Sequence, residues 1–111
     1  MMGPSIGHLL IHTVDIQRSS SVDNGHGGFD EVFASVAIVS GRINPATAKD
    51  LASVGKEESR VTHAIYLAPK QDVRIGDKVL FDGRTFFVRV KNIEPSIPIY
   101  RKVMAEEIQE G

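Results

Sequence analysis

His8 and His12 are the first residues whose spacing suggests chemistry, because H-x-x-x-H on a helix aims two imidazoles at one metal ion. The surrounding His-Leu-Leu-Ile-His-Thr-Val-Asp-Ile reads as a strand, however. Four residues of strand set the rings ~13 Å apart, too far to share an ion. No glutamate stands beside His8, as the metalloprotease pattern requires. The glycine-rich run Asp23, Asn24, Gly25, His26, Gly27, Gly28 lacks the lysine and hydroxyl ending of a phosphate loop and the ligand spacing of a calcium loop. It reads as a contact loop. Glu57-Glu58 and Glu106-Glu107 pair carboxylates, but neighbours along a strand face opposite ways and do not present two acids to one substrate. There is no G-x-S-x-G elbow for a serine nucleophile. With no cysteine there is no thiol nucleophile, disulfide framework or thiolate zinc site. The residues imply neither a catalytic centre nor a cofactor. Arg84, Arg89, Lys91, Arg101 and Lys102 remain. They form a basic stripe if the last two strands pair, open to nucleic acid or an acidic partner, although only Tyr100 interleaves as an aromatic platform. The same five suit an ordinary solvated sheet exterior.

The composition narrows the classes further. The chain has 111 residues, 41% hydrophobic and 24% charged, which is the balance of one globular domain and excludes wholesale disorder. Its net charge of −1 does not suit a protein whose main task is gripping phosphates. No apolar run approaches the ~20 residues of a membrane span. The N-terminus lacks the basic and apolar regions of a secretory signal, so the expectation is a soluble, intracellular chain.

The elements that must position these residues are mostly strands. Residues 8–18 alternate, with Leu10, His12, Val14 and Ile16 on one face. Residues 19–31, rich in Ser, Gly, Asp and Asn, predict a long flexible loop. Residues 32–43 alternate again. Asn44-Pro45 then opens a short helix over 46–53, with Asn44 as its cap and Gly55 as its stop, packed as a lid on a sheet edge. A strand over 60–68, a polar bend over 71–77 and a strand over 78–81 follow. Asp82-Gly83 is a hairpin signal, because a type I′ turn needs φ > 0 at both central residues. The return strand over 84–93 places Phe86, Val88 and Val90 on one face and Arg89 and Lys91 on the other. Pro95 and Pro98 lie in a loop, and residues 99–108 make a last strand. About six strands, one short helix and no βαβ spacing predict a small antiparallel β-barrel or sandwich.

The order of these segments carries a resemblance. A first strand ending Gln17-Arg18 and a second ending Gly41-Arg42-Ile43-Asn44-Pro45 precede Val61-Thr62-His63-Ala64-Ile65-Tyr66-Leu67. Then comes the unbroken run from Asp72-Val73-Arg74-Ile75-Gly76-Asp77 through Lys78-Val79-Leu80-Phe81-Asp82-Gly83-Arg84-Thr85-Phe86, and a closing strand to Ala105-Glu106-Glu107. Over about residues 8–108 the chain resembles the head–tail joining proteins of tailed bacteriophages, also called head-closure, stopper or connector proteins. The resemblance implies a small β-barrel with a short helix, preceded by a disordered lead over 1–7. It implies a structural virion protein made in the bacterial host cytoplasm and residing at the head–tail interface. Copies would form a ring, hexameric or dodecameric, beneath the portal and its adaptor, with the isolated chain left free to be monomeric. That ring closes the channel on packaged DNA and meets the tail-completion protein, with no membrane and no cofactor involved. The loop containing Ser19, Ser20, Ser21, Asp23, Asn24, Gly25, His26, Gly27 and Gly28 is then the candidate channel plug or inter-subunit contact, with the helix-loop over 44–58 as the other candidate. The alternative is an SH3-like or OB-type barrel that binds nucleic acid through the basic face, using the bend-into-strand Val73-Arg74-Ile75-Gly76-Asp77-Lys78-Val79.

Overall fold

A computed structural model describes residues 11–54, 60–91 and 101–108. The expected lead over 1–7, His8, Gly55, Glu57-Glu58, Pro95, Pro98 and Tyr100 lie outside these residues. Six strands and one helix follow in the order β1 (His12–Asp23), β2 (Phe29–Pro45), α1 (Ala48–Val54), β3 (His63–Leu67), β4 (Lys78–Phe81), β5 (Arg84–Lys91) and β6 (Arg101–Ile108). All pairings are antiparallel and the sheet closes on itself as β1-β2-β3-β6-β5-β4. The fold is the small antiparallel barrel expected from the alternation.

Alternate side chains fill the interior. Val14 and Ile16 of β1, Ile43 of β2, Ile65 and Leu67 of β3, Val79 of β4, Phe86 and Val88 of β5 and Val103 and Ala105 of β6 form one buried cluster, with Val73 from the bend. The period of two puts the intervening residues outside. There Ala64, Tyr66 and Met104 meet Val54 of α1 together with Val61, Ala46 and Val90 in a second, smaller cluster. The helix therefore covers the outer wall of β3 and β6, not a sheet edge. Its start also differs from the sequence expectation. Asn44 and Pro45 belong to β2, and Thr47 is the cap: its hydroxyl accepts the Asp50 N–H at 3.1 Å while the Asp50 carboxylate accepts the Thr47 N–H at 3.0 Å. This reciprocal pair satisfies two of the amide groups a helix start leaves open.

Two bulges redirect side chains. In β5 the register slips between Val88, opposite Ala105, and Val90, opposite Met104. The extra residue, Arg89, turns Val90 out of the barrel and under α1, so the expected Phe86, Val88, Val90 face is broken after Val88. In the first pair, Ile16 faces Ala37 and Gln17 faces Ser35, leaving Val36 as the extra residue of β2.

The largest correction concerns residues 19–31. Ser19, Ser20, Ser21 and Asp23 are not in a loop; they continue β1, opposite Phe33, Val32, Glu31 and Phe29 respectively. The loop is only residues 24–28. Serine favours turns in isolation, but here it lies across from Val32 and Phe33, residues suited to a pleated sheet, and pairing overrides local preference.

The turns agree with their sequence signals. Asp82 (φ 51°) and Gly83 (φ 77°) give the two left-handed residues of the predicted turn, joining Phe81 to Arg84. At Arg74–Asp77 the Asp77 N–H donates to the Arg74 carbonyl at 3.0 Å, and Gly76, at φ 97°, is the residue such a turn requires. A Cβ at Gly83 would meet no atom within 4 Å, so backbone strain alone decides the effect of a substitution. Gly83→Val is expected to lower stability by about 1–2 kcal/mol, read as a drop in melting temperature. An unchanged melt would contradict this turn geometry.

Candidate functional site

The corrected hairpin is the most conspicuous surface feature. β1 is paired with β4 only over residues 15–17, and β2 with β3 only over residues 41–45. Beyond Gln17 six cross-strand pairs, from Arg18 opposite Ala34 to Asp23 opposite Phe29, run on as a two-stranded arm ~20 Å long. The bulge at Val36 sits at its root, where such an insertion bends a strand and sets its direction.

The tip is a built turn. Asn24 donates its N–H to the Gly28 carbonyl at 3.1 Å, and its side-chain oxygen accepts the N–H groups of His26 (2.8 Å) and Gly28 (3.3 Å). The Asp23 carboxylate accepts the Gly25 N–H at 2.8 Å. Gly25 and Gly27, at φ 80° and 81°, supply the left-handed positions that let the chain reverse. The glycines thus serve the turn, and Asp23 and Asn24 serve its amides.

The arm is acidic and apolar. Between Arg18 and Arg42 there is no lysine or arginine, while Asp23, Asp30 and Glu31 carry three negative charges. Phe29 is 72% exposed and Ile38 68%, and Val22, Val32 and Val36 are also exposed. Phe33 is partly covered by Lys78, whose ammonium lies 4.2 Å from the ring centre.

A clamp holds the root. The Arg18 guanidinium donates to both oxygens of Asp77, at 3.0 and 2.9 Å, and to Asp72 at 3.2 Å. Asp77 is nearly buried and also accepts the Arg74 N–H at 2.9 Å, so one carboxylate ties the arm to the bend before β4. The Asp77 hydrogen bonds raise the Arg18 pKa above its ordinary value against the opposing effect of burial, and Asp72 adds to them. Nothing in the sequence links residues so far apart, and this clamp went unread there.

The proposed basic face fares differently. β5 and β6 do pair, yet the acids of β6 meet the cations. Arg84 forks onto Glu107 at 2.8 and 3.0 Å, and Arg89 onto Glu106 at 3.1 and 2.7 Å. Lys102 lies under α1 with its ammonium 2.5 Å from Asp50. Arg101 is half-buried at the opposite end of β6 from Glu107, and Lys91, like Arg84, is exposed. The structure does not gather them into one unscreened stripe. Glu106 and Glu107 do diverge as strand neighbours should.

Asp50 and Lys102 fasten α1 to the barrel. Burial pushes the Asp50 carboxyl up, but the Lys102 ammonium and the Thr47 N–H outweigh it and hold the group below the usual carboxylate range. A carboxyl held low contributes stability above its unfolded value, ~4, and loses it as pH falls through the folded value. Acidification below roughly pH 4 is expected to release α1 before the barrel opens, seen as selective loss of the α1 amide signals by NMR. Asp50→Asn should flatten that dependence.

His12 and His63 serve the fold at the barrel end away from the arm. His12 stacks on Phe81 at 4.4 Å and accepts the Ile43 N–H through Nδ1 at 3.2 Å. His63 lies edge-on to Phe86 at 5.1 Å, between Arg84 and Glu107. Burial pushes its imidazole below the usual value, Glu107 opposes this and Arg84 adds to it. Among the described residues no group of three or more His, Asp or Glu is placed to hold a metal ion, and no helix is long and apolar enough to cross a membrane.

Comparison with known proteins adds what geometry does not. The model of the phage head completion protein family matches residues 8–108. The chain belongs to that family. The motif order that resembled head-closure proteins therefore marks a true membership. The fold of this head completion protein is also that of protein SF1141 from Shigella flexneri 2a, whose solution structure superposes with a TM-score of 0.74 at 15% identity, covering 90% of this chain and 94% of that one. At that identity the likeness concerns the fold alone. No curated protein matches the head completion protein significantly.

Proposed function

We propose that this head completion protein is a structural, non-enzymatic component of the virion that forms a ring at the portal vertex, closes the DNA channel after packaging and joins capsid to tail. The observation that carries this reading is the family match across residues 8–108. Its partners in this reading are the portal or adaptor above, the tail-completion protein below and the packaged DNA in the channel. The arm is the element suited to the channel: three acids and no lysine or arginine repel phosphate, so it holds DNA back without gripping it. The acids paired with Arg84, Arg89 and Lys102 fit the same task.

The test is electron microscopy of particles from a phage or induced prophage lacking this gene. DNA-leaking or tail-less heads beside intact free tails are expected; normal tailed particles would reject a required closure role. A labelled oligonucleotide separates this reading from a nucleic-acid-binding barrel. Affinity that falls steeply between ~50 and ~200 mM salt would favour the barrel reading, whereas no binding at ~50 mM is expected here.

A further inference from the structure

The six strands close into a barrel, and the arm extends beyond it. Among the described residues, the second edge of β1 is open over 18–23 and the second edge of β2 over 29–40. Each copy thus carries two unpaired edges on opposite sides of one ribbon. Open edges present rows of N–H and C=O groups, and a two-stranded ribbon alone in water is marginal. Proteins usually protect such edges with lysine or proline. Here neither occurs between Arg18 and Arg42, and Val32 and Val36 are exposed along the open edge of β2.

We propose that a second copy of this chain covers that edge: the open β1 edge of one arm pairs antiparallel with the open β2 edge of the next, joining the arms into one continuous sheet. The proposal rests on the ring reading above and names the contact that would build the ring. Chain direction supports it, because arms related by rotation about an axis along their length bring an outgoing β1 beside a returning β2. Such a heterologous contact closes when the rotation closes. Charge supports it as well. Repeating the register within the arm sets Ser19 beside Phe33, Ser20 beside Val32, and Ser21 beside Glu31. Asp23 then meets Phe29 and Val22 meets Asp30, so no two acids stand directly opposed. DNA is a poor occupant for an arm carrying three acids and no lysine or arginine.

The chain has no cysteine, which makes crosslinking specific. Two full-length variants, Ser20→Cys and Val32→Cys, are oxidised in concentrated solution, singly and mixed. The mixture is expected to give several-fold more disulfide-linked dimer than either variant alone. Wild-type mass by sedimentation should rise with concentration, and Val32→Lys, a charge placed on an exposed side chain inside the paired segment, should stay monomeric with an unchanged melt. Dimer from Val32→Cys alone would indicate β2 pairing with β2 and overturn the proposal. So would a wild type that stays monomeric with no mixed product, or that associates without one. Those failures leave the head-completion reading intact, since particles lacking the gene test that reading separately.

Discussion

Phe86→Ala is expected to cost about 3–5 kcal/mol, a large share of the ~5–15 kcal/mol that holds a domain of this size. Phe86 is the largest fully buried side chain, with no exposed surface. It is also the partner of His63 at 5.1 Å and lies beneath the Arg84 guanidinium at 5.0 Å. Truncation therefore leaves a cavity on the barrel axis and removes the wall against which His63 and Arg84 rest. A barrel is poorly placed to collapse onto such a void, because its strands are tied to neighbours on both sides. The expected result is a chain that is largely unfolded at physiological temperature. Phe86→Leu keeps most of the volume and should fold with a lowered but cooperative melt. A wild-type melt for Phe86→Ala would contradict the interior placement.

Asp77→Ala should be the most damaging polar substitution, at about 3 kcal/mol, or a fall of roughly 10–20 °C in melting temperature. It removes both acceptors of the Arg18 fork and the acceptor of the Arg74 N–H together. The guanidinium is then left half-enclosed with only Asp72 beside it. Asp72→Ala gives the contrast. That carboxylate is 60% exposed, and its loss should leave the melt near wild type. Beyond stability, the two variants should differ at the arm root. Amide signals of Ser19 and Ser20 by NMR are expected to broaden in Asp77→Ala and to stay sharp in Asp72→Ala. Equal melts for the two variants would show that the buried acceptors are not what holds the bend.

What the sequence made legible was local. Asp82-Gly83 announced its turn because both residues tolerate positive φ, and the shared faces of Val14 with Ile16 and of Phe86 with Val88 were legible because strand faces alternate. The count of such segments left a barrel or a sandwich, and the family resemblance pointed to the barrel. What stayed hidden depends on partners far along the chain. Arg18 and Asp77 are 59 positions apart, and Asp50 and Lys102 are 52 apart; neither pair leaves a local trace. Ser19–Ser21 misled because serine's turn preference is weaker than a strand opposite it. The bulge at Arg89 left no mark in composition at all, yet it decides that Val90 supports α1 instead of the core. Asn44-Pro45 looked like a helix start, but the pair at Thr47 and Asp50 does that work three residues later. As for the candidate site, residues 19–23 form a strand where a loop was expected, and the sequence showed Arg84, Arg89 and Lys102 without the acids that pair with them.

The long gap between Arg18 and Arg42 has a practical corollary. Trypsin cuts only after lysine or arginine, so it has no target between the bond after Arg18 and the bond after Arg42. A tryptic digest of virions would report the whole arm as one acidic peptide, residues 19–42, with the same boundaries whether the arm is bare or covered. Chymotrypsin at Phe29 and Phe33, or a glutamate-directed protease at Glu31, reaches the part that changes its surroundings.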